Sequence, residues 1–247
     1  MTLAEVMKEL KALGTAQNVK VYRRHGAGDD VFGVSSASLG VLHKKIRTDH
    51  ALADALWKTG NWDARTLATL IANPQEFTTK SADSWVREIR SRALAGLLAA
   101  PIARSRVAHE KLEVWTASDE EHVRQCGYNV LGAMLRCDPA SISDGECRGW
   151  IGRIEKEVHG SPNQARHAMN MALIAIGIYK PSLRDEAIRA GRRIGPVEVD
   201  HGDTGCTTPA IEPYILKAAA RAKGPKTGRR KAAKAPAATA ASKPRRR

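Results

Sequence analysis

Three arginines recur in one setting. Arg65, Arg124 and Arg166 each follow a turn and stand about one turn into an apolar helical stretch. A guanidinium there, beside the free N–H groups of a helix start, presents a planar fork of donors suited to phosphate oxygens. The spacing alone leaves open a second role, ordinary surface ion pairing. Arg23, Arg24, His25, Lys44 and Lys45 could extend the basic surface. Asp200, His201, Asp203 and Cys206 also bear metal-ligating groups. They lack a recognised zinc spacing and a second ligand pair, so the segment reads as a turn-rich loop capping the last helix. No metal and no cofactor is expected.

The elements that must position these residues are helical. Val123, Cys126, Gly127, Val130, Leu131, Met134 and Leu135 follow a helical apolar period, as do Ala165, Ala168, Ala172, Leu173 and Ile176. Ser118-Asp-Glu-Glu121 reads as a capping box, and Ser161-Pro162 as a cap residue before a proline at the first helical position. Period-2 alternation is confined to Val197-Glu-Val199. Leu56-Trp57-Lys-Thr-Gly-Asn-Trp-Asp-Ala-Arg65 echoes Val114-Trp115-Thr-Ala-Ser-Asp-Glu-Glu-His-Val-Arg124, and Gly160-Ser-Pro-Asn-Gln-Ala-Arg166 is a third version without the tryptophan. Irregular repeats of roughly 40 residues, each a helix pair, are the pattern of a HEAT-like solenoid, whose stacked pairs leave one curved face for a long ligand. The three arginines are expected on that concave face.

Composition agrees with this class. Apolar residues are 43% of the 247 residues and aromatics only 4%, which favours helix over sheet. The apolar runs Ala93–Ala103 and Met169–Tyr179 are too short to span a bilayer. Four cysteines without CxxC spacing suit a reduced, cytoplasmic setting. Of the formal net charge of +14, eleven charges fall in residues 221–247, which contain no acid. The folded part, 1–220, is therefore only mildly basic, and placement of charge matters more than its total. The Lys/Arg/Ala/Pro-rich stretch 221–247 has no periodic apolar face and reads as a disordered tail.

Tyr22-Arg-Arg-His25, Phe32-Gly-Val-Ser35 opening a helix, the Leu56–Arg65 block and Gln164-Ala-Arg-His-Ala-Met-Asn-Met171-Ala-Leu-Ile-Ala-Ile-Gly177 together resemble the DNA alkylation repair family over about residues 1–193. The resemblance implies a HEAT-like solenoid that holds duplex DNA as a monomer, in the cytoplasm and associated with the nucleoid. In catalytic members this fold excises purines alkylated at N3 or N7. Their pattern is a tryptophan, an aspartate four residues later, an arginine in the next repeat and a second tryptophan in the late repeat. Here those positions fall on Trp85, Ile89, Arg124 and Met171. Cleavage of the glycosidic bond builds positive charge on the sugar, which a carboxylate stabilises. Glu88, three residues after Trp85, is the candidate substitute, its other reading being an exposed surface glutamate. Trp85 is equally readable as core. Glycosylase activity is one expectation; a non-catalytic DNA-binding or architectural protein, or a protein-interaction scaffold, is the alternative.

Overall fold

The computed structural model describes residues 1–223, and the fold is all-α. Among the described residues thirteen α-helices run α1 Leu3–Leu13, α2 Ala16–Arg24, α3 Ser36–Ile46, α4 His50–Lys58, α5 Trp62–Ile71, α6 Thr79–Arg87, α7 Arg92–Ile102, α8 Ala108–Thr116, α9 Glu121–Cys137, α10 Asp144–Glu157, α11 Asn163–Tyr179, α12 Arg184–Ile194 and α13 Ile211–Lys223. Among the described residues, bridge pairing is limited to Gly14 with Val34, and Val197–Val199 forms no strand. The stretch 221–247 falls almost wholly outside the described residues; its first three residues continue α13.

The helices stack in two rows. In the first row, α5 packs on α7, α7 on α9, α9 on α11 and α11 on α13. The second row, α4, α6, α8, α10 and α12, is stitched by polar contacts from one repeat to the next. Trp85 Nε1 on α6 donates to Asp54 on α4 at 3.0 Å, and Trp115 Nε1 on α8 donates to Asp83 on α6 at 2.8 Å. Lys111, 1% exposed, joins the same Asp83 at 2.9 Å and Glu110 at 3.0 Å. Arg153 on α10 donates to the Thr116 carbonyl at 3.0 Å, and Arg193 on α12 pairs with Glu155 on α10 at 2.5 Å. Each row buries what the other presents, so one apolar core runs the length of the stack.

The apolar periods fall where the sequence predicts them. Val123, Cys126, Val130, Leu131, Met134 and Leu135 are buried on α9, and Ala165, Ala168, Ala172, Leu173 and Ile176 on α11. Two close approaches set the packing. A Cβ at Gly127 would stand 2.6 Å from the Thr116 backbone nitrogen, so only glycine lets α9 lie this near the end of α8. Gly177 does the same for α13, whose Ile215 would meet an added Cβ at 2.4 Å.

Two helix starts differ from the sequence reading. α9 begins at Glu121 with no side-chain cap, because the Glu121 carboxylate reaches across to the Gln164 N–H of α11 at 2.7 Å. α11 begins one residue later than expected, at Asn163, with Ser161 Oγ donating backward to the Glu157 carbonyl at 2.9 Å.

Candidate functional site

Arg65, Arg124 and Arg166 occupy the same position, the fourth residue of first-row helices α5, α9 and α11. Each turns its guanidinium back onto the preceding turn. Arg65 Nε donates to the Trp57 carbonyl at 3.0 Å, Arg124 Nε to Ser118 at 2.7 Å and Arg166 Nε to Ser161 at 3.3 Å. Arg65 further binds the Glu88 carbonyl at 3.2 Å, pairs with its carboxylate and lies 5.1 Å over the Trp57 ring. Arg166 adds the Glu198 carbonyl at 2.8 Å, and Arg124 lies 3.6 Å from Asp119. These arginines satisfy carbonyls that a helix end leaves orphaned. Lys45 pairs with Glu9 at 2.7 Å, and Lys44 stands exposed beside it on α3.

Trp85 and Glu88 lie in the second row. Trp85 is 3% exposed, stacked on Trp57 at 4.2 Å and edged by Phe77 at 5.1 Å. Its indole faces the core. Glu88 caps the end of α6 and is engaged by Arg65. Asp63 and Asp83, the neighbouring carboxylates, are also occupied. Asp63 accepts the N–H groups of Phe32, Gly33 and Val34 at 2.6, 3.0 and 2.8 Å, which fixes the loop before α3.

A groove on the first row gathers a different set. Arg24 and His25 from the end of α2, Arg90 and Arg92 at the start of α7, His122 on α9, Asn163 and Gln164 on α11, and His201 enclose about 360 Å³. α7, α9 and α11 all begin here, none with a hydrogen bond from the side chain of its own N-cap residue, and in α11 the Gln164 N–H is taken by Glu121. Their first-turn N–H groups and dipoles are turned to one concavity. Arg24, Arg90 and Arg92 form no ion pair among the described residues, and Arg90 donates one nitrogen, Nη1, to the Arg87 and Ile89 carbonyls at 2.6 and 2.8 Å. The two acids that line it, Glu121 and Asp200, accept the backbone N–H groups of Gln164 and Gly202 at 2.7 Å each.

The Asp200–Pro209 segment closes one side. Asn163 holds Asp200 at both backbone groups, at 2.7 and 2.8 Å. His201 Nδ1 meets the Arg92 guanidinium at 2.7 Å and its Nε2 meets Thr208 at 3.0 Å, while Cys206 Sγ lies 3.6 Å from Arg92. Hydrogen bonds from Thr204 and Arg92 lower the Cys206 thiol, and burial followed by Arg92 lowers His201. Burial, then Arg92 and His201, push His167 down to about 4. Among the described residues no group of these side chains could hold a metal ion.

A second section lies farther along the same helices. Gly96 follows Arg92 by four residues, Asn129 and Arg136 follow His122 by seven and fourteen, and Met171 and Ile178 follow Gln164 by the same steps. Those spacings keep one helix face. The second section, about 380 Å³, is lined chiefly by Gly96, Tyr128, Asn129, Gly132, Met171 and Tyr214, with Arg136. None of the described residues that line it is acidic. The sequence reading named Met171 and Arg24 but missed Arg90, Arg92 and His122. The seven-residue spacing of half-exposed residues on α9 and α11 was the available signal.

No helix of the described residues is long and apolar enough to cross a membrane. A family model described as DNA alkylation repair enzyme matches residues 6–232. An uncharacterized protein of Listeria monocytogenes is 29% identical over 230 residues, covering 90% of this chain and 100% of its own. An uncharacterized protein of Listeria innocua is 28% identical over 225 residues, covering 88% and 97%. A solved structure is similar with a TM-score of 0.83 and 27% identity, over 90% of this chain and 95% of its own. It is described as belonging to a new family of proteins related to the HEAT-like repeat DNA glycosylases with affinity for branched DNA structures.

Proposed function

We propose, from the premise that the chain belongs to the DNA alkylation repair family, that it is a DNA-binding protein that holds branched DNA and excises no base. The observation that carries this reading is the first-row groove, where α7 and α9 begin without side-chain caps beside Arg24, Arg90 and Arg92, and α11 begins with its Gln164 N–H held by Glu121. First-turn N–H groups at the starts of α7 and α9, and guanidinium groups that meet no carboxylate among the described residues, are complementary to phosphate oxygens. Phosphate contacts of this kind position a nucleic acid without reading its sequence. Arg65, Arg124 and Arg166 contribute indirectly, by fixing the turns from which these helices start. Lys44 and Lys45 add a peripheral cationic surface. The preference for branched forms is drawn from the solved relative, whose stack this chain shares over most of its length.

Excision finds little support in the site. Met171, at the second tryptophan position, looks onto a groove section with no carboxylate in its lining. Glu88 lies in the other row and is engaged by Arg65. Stabilising a developing sugar cation needs a charge aimed at the reacting centre. The test pairs two assays on the full chain. Incubated in excess with duplex carrying 7-methylguanine, the protein should release no free base. With a three-way junction it should bind more tightly than with a linear duplex of equal length. Release of free base would overturn the non-excising reading, and equal affinity for the two DNAs would overturn the branched preference.

A further inference from the structure

We propose that the apolar section of the first-row groove is a socket for one unpaired nucleobase at a branch point; this rests on the reading that the chain binds DNA. The socket lies one to two turns along the same helix faces from the basic end, about 10 Å farther at 1.5 Å per residue. Its floor is open: a Cβ at Gly96 would meet nothing within 4 Å, and one at Gly132 would touch only the Ala175 Cβ at 3.8 Å. A flat ring can therefore lie against helix backbone. Its walls are Met171 and Tyr214, and Tyr214 is 43% exposed, an aromatic left on the surface at the edge of the cavity. Thioether and phenol faces stack on heteroaromatic rings. Asn129 supplies both a donor and an acceptor for a base edge.

The choice of occupant follows from what flanks the socket. Arg92 stands at one end and Arg136 at the other, with no acid in the apolar lining. Alternation of cation, apolar face and cation matches phosphate, base and phosphate along a strand. A volume of about 380 Å³ accepts a purine or a pyrimidine. Bases stacked in a duplex cannot enter, whereas a branch point supplies bases already unstacked, so the cost of extrusion is small.

The experiment uses the full chain and a three-way junction with a single unpaired 5-iodouracil at the branch. Irradiation should attach that base to the peptides carrying Met171 or Tyr214. Gly96→Leu fills the socket from α7, enters open space and replaces a poor helix former, so it should fold at least as well as the parent. It should weaken binding to the junction about tenfold while leaving affinity for a fully paired duplex and its salt dependence unchanged. Cross-links only outside the socket, or equal affinity of Gly96→Leu and the parent for the junction, would overturn the socket while leaving DNA binding standing. If the parent binds neither DNA, the DNA-binding reading falls and the socket with it. Retained binding with cross-linking to neither peptide would show the apolar section facing something else, such as a partner's side chain.

Discussion

At the scale of single residues, identical placement does not mean a free guanidinium. The recurrence of Arg65, Arg124 and Arg166 is legible in the sequence, and all three stand at the fourth residue of a first-row helix. What each binds was not legible, because the acceptors are carbonyls, which leave no mark in residue type. Arg65 is 15% exposed at its side chain and holds Trp57, Glu88 and the turn between rows. Arg65→Ala should lower stability by about 2–3 kcal/mol, since charged donors and their buried acceptors lose their partners together. Glu88→Gln, at a side chain 41% exposed, should cost about 1 kcal/mol or less. Denaturant melts of the two variants check the ranking; equal losses would mean that the carboxylate, not the carbonyl set, holds the turn.

His167, packed edge-on against His201 at 5.4 Å, gives the stability of the fold a pH dependence. Its folded value is held at about 4 by burial, then by Arg92 and His201, whereas an unfolded histidine titrates near ~6.5. Between those values the unfolded chain holds a proton that the folded chain refuses. This contribution is therefore complete above about pH 6.5, declines as pH falls and is exhausted near pH 4. Partial exposure of the ring trims the loss to about 1–2 kcal/mol. Melting temperature should fall over that window, and His167→Gln should flatten that part of the curve. An unchanged curve would show that other groups carry the acid sensitivity.

At the scale of helices, periodicity was legible and termini less so. The apolar stripes of α9 and α11 match their buried faces, because repeating burial writes itself directly into residue type. The caps did not follow the local pattern. Glu121 has the right spacing from Ser118 for a capping box, yet its carboxylate serves Gln164 forty-three residues away. A local motif was overridden by a contact between repeats. The two close approaches differ in what yields. At Gly127 the obstacle is the Thr116 backbone nitrogen, so Gly127→Ala must push α9 off α8 and should cost about 2–3 kcal/mol. At Gly177 the obstacle is the flexible end of Ile215, so Gly177→Ala should cost less and loosen α13 alone. Thermal melts, with hydrogen exchange on 211–223, separate the two. A larger loss at Gly177 would contradict this ordering.

At the scale of the whole molecule, the repeat spacing foretold a helical stack, and the two rows explain its regularity. Contacts thirty to forty residues apart, such as Asp54 with Trp85 and Asp83 with Trp115, recur because each helix pair repeats the last. The functional face was harder to see. Arg24, Arg90, Arg92 and His122 come from three separate parts of the chain, and only the stacking of α7, α9 and α11, with the end of α2 bordering the same cavity, assembles them. The net charge pointed toward the basic stretch beyond the described residues rather than to this groove. Salt dependence of binding distinguishes the two sources, since it counts the phosphates neutralised. The measurement is the affinity of the full chain for a three-way junction across salt concentrations, for the parent and for Arg24→Gln/Arg90→Gln/Arg92→Gln, both with residues 224–247 intact. If the groove holds phosphates, the triple variant binds more weakly and its slope of log affinity against log salt falls by about 2.7, at about 0.9 per phosphate lost. An affinity and slope equal to the parent's would contradict the account and place DNA binding outside the groove.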